Sequence, residues 1–294
     1  MGWFGDLLQD VRDGDILFVV AFTLLVGYLV WKFYFWRRGT EPHYRRFFGL
    51  TLQIGVTLML ERLYEFSRAH VQIGRLTAVA YSNAYMLVNW EIDHGIFFEQ
   101  RLQAFFLPDH VLMNAIDAFY AFAHLFVTLG FLIWLYVRRN EVFGFVRNLL
   151  YLTTGVALIV YMVFPTSPPR MFSNLGFVDP AVLLGSAASN TQVTSYTYNP
   201  FAAMPSLHLV YALIVGCTLV AVGRRPWLRA LGAIYPVIML AVILISANHW
   251  ILDAVGAVVV VTGSALILAG VRRLAVIASN KTGYGSGGRS PSPA

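Results

Sequence analysis

The sequence predicts an all-α, polytopic transmembrane helix bundle of about seven spans, with interfacial helices beside it. Three observations carry this reading. The 294 residues are 58% hydrophobic and only 12% charged, about half the charge of an ordinary soluble domain; so few charges cannot cover a water-soluble globule of this size. Apolar runs of about 20 residues, the length needed to cross a bilayer, recur along the chain. The 21 cations, nearly all Arg, sit in short clusters flanking those runs. Despite a net charge of +6, that placement marks a membrane protein and excludes a nucleic-acid binder.

The elements follow in order. Residues 1–15 form an acidic segment with Asp6, Asp10, Asp13 and Asp15. The first span runs from Ile16 to about Trp36, and its acidic flank excludes a cleavable signal peptide. A second span covers about Phe47 to Tyr64. The apolar run Leu76 to Trp90 is cut by Asn83 and Asn89. If it crossed the bilayer, every later loop would invert against the Arg distribution. With Glu91 to Phe106 it is therefore read as interfacial or re-entrant helix, at about 76–106. Val111 to Val137 completes an N-terminal membrane region, 16–144. A second membrane region, 145–270, holds spans at Phe145 to Phe164, Met204 to Val222, Leu228 to Ser246 and Trp250 to Gly270. The tail, 271–294, is basic and then rich in Gly, Ser and Pro from Gly283 onward, a composition expected to be disordered.

Counting Lys and Arg sets the orientation. Fifteen cations collect on one side if Lys32 to Arg46, Arg138 to Arg147, Arg224 to Arg229 and the tail are cytoplasmic. Arg12, Arg62, Arg68, Arg75, Arg101 and Arg170 remain on the other. The expected N-terminus is outside and the C-terminus inside. Cys217, the one cysteine, lies within an apolar run and implies neither a disulfide framework nor a thiolate metal site.

On this topology one outer face gathers unusual residues. The loop after the fourth span reads Phe164-Pro165-Thr166-Ser167-Pro168-Pro169-Arg170. A polar stretch ends in Asn199-Pro200-Phe201-Ala202-Ala203-Met204-Pro205-Ser206-Leu207-His208, where the fifth span begins. The sixth span ends in Ser246-Ala247-Asn248-His249-Trp250-Ile251-Leu252-Asp253, where the seventh begins. His249 and Asp253 are four residues apart and share a helix face. A carboxylate bound to one imidazole nitrogen fixes the tautomer and leaves the other as nucleophile or base. Pro205 and Ser206 are expected to open the fifth helix, whose first turn would bind an anion and place His208 one turn inside. Arg170, after a stiff Pro-Pro pair, offers a planar fork suited to phosphate. Together these suit phosphoryl transfer through a phosphohistidine, with His208 as acid and base. Other readings stay open at this point. Either His could be a capped interfacial residue, His-x-x-x-Asp half of a metal site, and Pro-Ser-x-His a plain helix start.

Met204-Pro205-Ser206-Leu207-His208 followed by Asn248-His249-Trp250-Ile251-Leu252-Asp253 resembles the second and third signature motifs of the type 2 phosphatidic acid phosphatase superfamily. The Phe164 to Arg170 and Asn199 to Ser206 runs are more similar to the inositol phosphorylceramide synthase branch and its bacterial relatives. The resemblance covers about Phe145 to Gly270, and more loosely Asn83 to Tyr136. It implies that His249 is the phosphorylated nucleophile, Asp253 its orienter and His208 the acid/base. It also implies a six-helix core, an extracytoplasmic site in a bacterial plasma membrane, and no metal or other cofactor. Two departures stand out. The family's first motif is replaced at best by Pro168-Pro169-Arg170, and its Ser-Arg pair falls on Val242 and Ile243. The pocket is therefore short of cations, which Arg62, Arg68, Arg75 or Arg101 would have to supply.

The remaining polar residues sort by position. Glu61, Arg62 and Glu65 lie on the second span, as a structural ion pair or as a head-group or acceptor site, with Asn248 a further candidate. Glu91, Asp93, His94 and Glu99 are expected to form a solvated polar face. Asn114, Asp117 and His124 share a face of the third span, pointing either at the site or at a neighbouring helix. All seven Trp, from Trp3 to Trp250, fall near span ends, as an interfacial belt would. The expected partners are membrane lipids, a lipid phosphate substrate and a polyol acceptor. The competing function is a non-catalytic lipid transporter or scramblase, whose paired Gly/Pro breaks near mid-membrane are not evident. His-Glu-x-x-His and Gly-x-Ser-x-Gly are also missing from the chain, so zinc proteases and serine hydrolases of those types have no support.

Overall fold

A computed structural model describes residues 23–29, 31, 32, 49, 51–59, 73–184 and 201–283. Residues 23–29, 31, 32, 49 and 51–59 are helical, within the first two expected spans, whose remainders lie outside the described residues. The labelled helices are α1 (Ile73–Asp93), α2 (Glu99–Phe106), α3 (His110–Arg138), α4 (Asn140–Val163), α5 (Pro180–Leu184), α6 (Leu207–Val222), α7 (Pro226–Ile245) and α8 (Ile251–Gly283). The protein is an all-α bundle. Among the described residues, four helices are long and apolar enough to cross a membrane: α3, α4, α7 and the Ile251–Leu274 part of α8. With α6, a shorter apolar helix, they occupy the last five expected spans.

Helix α6 is the hub. It packs against α3, α4, α7 and α8. It is apolar all round: most of its length is buried against those helices, and one face, at Cys217 and Ala221, is exposed. Its tightest neighbour is α7. A Cβ added to Gly232 would lie 2.7 Å from the carbonyl oxygen of Gly216, so paired glycines let the two backbones approach as small residues do in membrane bundles. Asp109 caps α3 by accepting the Leu112 N–H at 3.0 Å, and Arg139 ties the α3–α4 junction to the α6 C-terminus through the Val222 carbonyl at 3.0 Å.

Helix α1 is continuous across the Asn-interrupted run. Asn83 donates to the Pro165 carbonyl at 2.8 Å, and the Ala80 carbonyl accepts from Ser167 N at 3.2 Å. Its buried side thus lies on the 164–177 loop at one end of the bundle. There Ala84, Leu87 and Val88 join Phe172, Phe177 and Trp250 in a second core. Two sequence expectations change. Helix α8 continues to Gly283, so residues 271–283 are helix, and only 284–294 of the expected tail lie outside the described residues. Trp250 is fully buried: its indole N–H donates to the Ser167 carbonyl at 2.9 Å, making it a core plug and not part of a lipid-facing belt.

Candidate active site

Three chain segments meet at the end of the bundle opposite the Arg138, Arg139, Arg224 and Arg225 cluster. The loop after α4 and the segment before α6 pair at one parallel bridge, Thr166 with Ala202. There Thr166 N donates to the Phe201 carbonyl at 2.8 Å and Ala203 N to the Thr166 carbonyl at 3.2 Å. The third segment is the turn between α7 and α8. Ala247 adopts φ 51° there, a left-handed conformation that costs a non-glycine residue on the order of 1–3 kcal/mol. The turn is held from both sides: Asn248 N and His249 N both reach back to the Ile243 carbonyl, and the Ala247 carbonyl accepts from Arg170 N at 2.9 Å.

This framework aims His249. Its Nδ1 lies 2.8 Å from the Ala203 carbonyl oxygen and 3.2 Å from Asp253 Oδ2. Both partners are acceptors, so Nδ1 carries the proton and Nε2 keeps the lone pair. Nε2 is buried and has no hydrogen-bond partner, in a side chain only 3% exposed. Asp253 is anchored in turn, with Oδ2 accepting the Trp250 N–H at 2.9 Å.

His208 is the second residue of α6. The helix starts at Leu207 and not at Pro205, with Ser206 as its N-cap: the hydroxyl oxygen accepts the Leu209 N–H at 3.4 Å. Proline therefore precedes the helix instead of opening it. Ser206 N donates to the Asp253 carbonyl at 3.2 Å, joining the starts of α6 and α8. The His208 ring stacks on Tyr120 at 3.9 Å, meets the His124 ring at 4.4 Å, and lies 6.1 Å from the His249 ring, centroid to centroid.

Arg170 lies in a short 3-10 turn that Pro169 opens. It is 8% exposed. Its Nη1 donates to Asn248 Oδ1, and its Nε lies 3.5 Å from Asp179 Oδ2. Asn248 also donates through Nδ2 to Ser246 Oγ at 2.8 Å. Both ends of that amide are engaged, so Asn248 braces Arg170 beside His249.

The structure thus brings together His249, Asp253, His208, Ser206, Asn248 and Arg170. Glu61, Arg62, Glu65 and Arg68 lie outside the described residues. On α3, His124 touches His208 and Asp117 is buried, whereas Asn114 is exposed; the face meets the site through His124. Tyr120 was missed, although it stands four residues before His124 on that face. The expectation of a solvated acidic face is overturned for half its members. Asp93 and His94 are exposed, but Glu91 and Glu99 are 0% exposed because they accept backbone N–H groups at the start of α8. Burial and the neighbouring Glu99 push the Glu91 carboxyl up to about 9. Among the described residues no group of three or more His, Cys, Asp or Glu side chains is arranged to hold a metal ion.

The arrangement offers a buried imidazole lone pair, a second imidazole with its ring centre 6.1 Å from the first, and a braced guanidinium. The family model described as PAP2 superfamily matches residues 85–267. No curated protein and no solved structure matches the chain.

Proposed function

The chain belongs to the PAP2 superfamily, whose members are generally phosphatases or phosphotransferases, and from that premise we propose that it acts on a lipid phosphate or phospholipid head group through a phosphohistidine on His249. The observation that carries the reading is the state of that imidazole: Nδ1 is held by two acceptors while Nε2 is buried and unbonded. Nε2 attacks phosphorus as the ester P–O bond breaks, and His208 gives its proton to the leaving alkoxide. Arg170 and the Ser206 hydroxyl bind the phosphoryl oxygens, where negative charge develops. In the second half His208 takes a proton from the acceptor, whose oxygen attacks phosphorus as the P–N bond breaks. With water the product is phosphate. With an alcohol the group is transferred, and the likeness to the inositol phosphorylceramide synthase branch favours a polyol acceptor.

The reaction needs no metal, and its site opens to the extracytoplasmic face of a plasma membrane, with the basic end of the bundle in the cytoplasm. Arg62, Glu61 and Glu65 of the second span would contact the head group or acceptor. The test is turnover of a panel of lipid phosphates in detergent, with and without a polyol, in chelator. Activity that survives chelation, is lost in His249→Ala and leaves an acid-labile phosphate only on the unsubstituted protein supports the reading. Activity that vanishes on chelation and returns with metal overturns it.

A further inference from the structure

The first turn of α8 carries more carboxyl groups than a helix start needs. Trp250 N donates to Asp253 Oδ2 at 2.9 Å, Ile251 N to Glu99 Oε1 at 2.9 Å, and Leu252 N to Glu91 Oε1 at 3.2 Å. Three consecutive N–H groups thus go to three different side chains, drawn from α8, α2 and α1. One capping side chain is the usual arrangement. Glu99 spends both oxygens as acceptors, since Oε2 takes the Phe98 N–H at 2.9 Å. Glu91 Oε2, by contrast, is buried, has no N–H or O–H donor, and belongs to a side chain within hydrogen-bonding reach of Glu99. A buried carboxylate oxygen without a donor is costly, and two buried carboxylates side by side more so. A single proton on Glu91 Oε2, donated to Glu99, removes both costs.

We infer that Glu91 and Glu99 are positioning residues, a carboxyl pair sharing one proton that takes the Ile251 and Leu252 N–H groups and so reserves Asp253 for His249. The inference rests on His249 being the nucleophile. Without the pair, the part-buried Ile251 and Leu252 N–H groups would turn to the Asp253 carboxylate, whose Oδ1 has no other partner, and draw it away from His249 Nδ1. The charged and titratable groups facing the pair are Asp253 and, behind it, His249; Asp93, His94 and Arg101 on the same two elements are exposed. The raised Glu91 carboxyl agrees with the geometry.

The pair is asymmetric, and the asymmetry is testable on the full chain in detergent. Glutamine at 91 can still accept with its oxygen and donate with its amide, as the protonated acid does. Glutamine at 99 must turn an N–H₂ toward a backbone N–H. Glu91→Ala and Glu99→Ala should each lower kcat by about tenfold or more with KM nearly unchanged, the loss expected when a reactive imidazole's outer support goes. Glu91→Gln should restore most of that loss and Glu99→Gln should not. Infrared difference spectra should contain the carbonyl stretch of a protonated carboxylic acid at neutral pH, absent in Glu91→Gln. Where the alanine variants do not fold, the two isosteric glutamine variants and the infrared band still decide. Equal behaviour of the two glutamine variants, or no protonated-acid band, overturns the inference. The infrared band does not depend on His249 chemistry, so a His249→Ala protein that still turns over overturns the phosphohistidine reading separately.

Discussion

The two imidazoles at the centre of this site lie in different surroundings. His249 sits in a hydrogen-bonded frame: a carbonyl and a carboxylate share its Nδ1 proton, and the carboxylate is itself anchored to the α8 backbone. His208 sits among rings, its face on Tyr120 and its edge near His124. The difference matches what each would do in the proposed mechanism. A nucleophile needs one tautomer and one direction of its lone pair, which directional bonds provide. An acid that becomes a base must live in both protonation states. A stacked phenol ring accepts the neutral imidazole, and it attracts the charged one through its π face.

The largest effect should come from breaking the frame of His249. Asp253→Asn keeps the shape but loses the acceptor that selects the tautomer, and kcat should fall on the order of 10³–10⁴-fold. A loss under tenfold would mean that the Ala203 carbonyl alone sets the tautomer. Next, Arg170→Ala should cost about 10²–10³ in kcat, the usual range for one donor to developing charge. Arg170→Lys should recover little, since a point charge cannot bond Asn248 and a phosphoryl oxygen in one plane.

The rings around His208 should be more forgiving. Tyr120→Leu should lower kcat by about tenfold and move the limb of the pH–rate profile that reports His208, while Tyr120→Phe restores both. If Tyr120→Leu matched Asp253→Asn in size, the contrast between the two histidines would be gone.

A gentler probe uses pH. The Glu91 carboxyl is raised from 4.5 to about 9, so the folded state holds a proton that the unfolded chain has released between those values. The associated stability is full below about 4.5 and is lost as pH rises toward about 9. Subtracting Glu91→Gln from the unsubstituted protein in thermal unfolding should isolate that slope; parallel curves would count against the buried proton. The smallest effect belongs to Ser206→Ala, about 1 kcal/mol of stability from the lost α6 cap and about tenfold in kcat from the lost hydroxyl. Ser206→Thr should recover both.

Much of this was legible in the chain. Charge poverty and 20-residue apolar runs dictated a helix bundle in a membrane, because a lone span must satisfy its backbone internally. The four-residue spacing of His249 and Asp253 pointed to their contact, although His249 stands in the turn before α8 and reaches Asp253 from outside the helix and not along one of its faces. The failures share a cause. Glu91 and Glu99 sit in a polar stretch and read as solvated, yet the first turn of α8 takes its acceptors for the Ile251 and Leu252 N–H groups from them. Tyr120 lay in an apolar helix where an aromatic usually means core, and its role became visible only beside His208. Pro205 read as the first residue of a helix, but Ser206 captures the Leu209 N–H as N-cap and the helix starts two residues later, at Leu207.

The sequence by itself therefore determined the solvent, the helices and the residue types that could do chemistry, since those depend on periodicity, length and local spacing. Which carboxyls cap α8, which rings enclose His208, and which of two His249 nitrogens is left bare were decided by tertiary structure alone. Each of those outcomes depends on a buried donor or acceptor finding its partner in a distant segment, and no local pattern encodes that pairing.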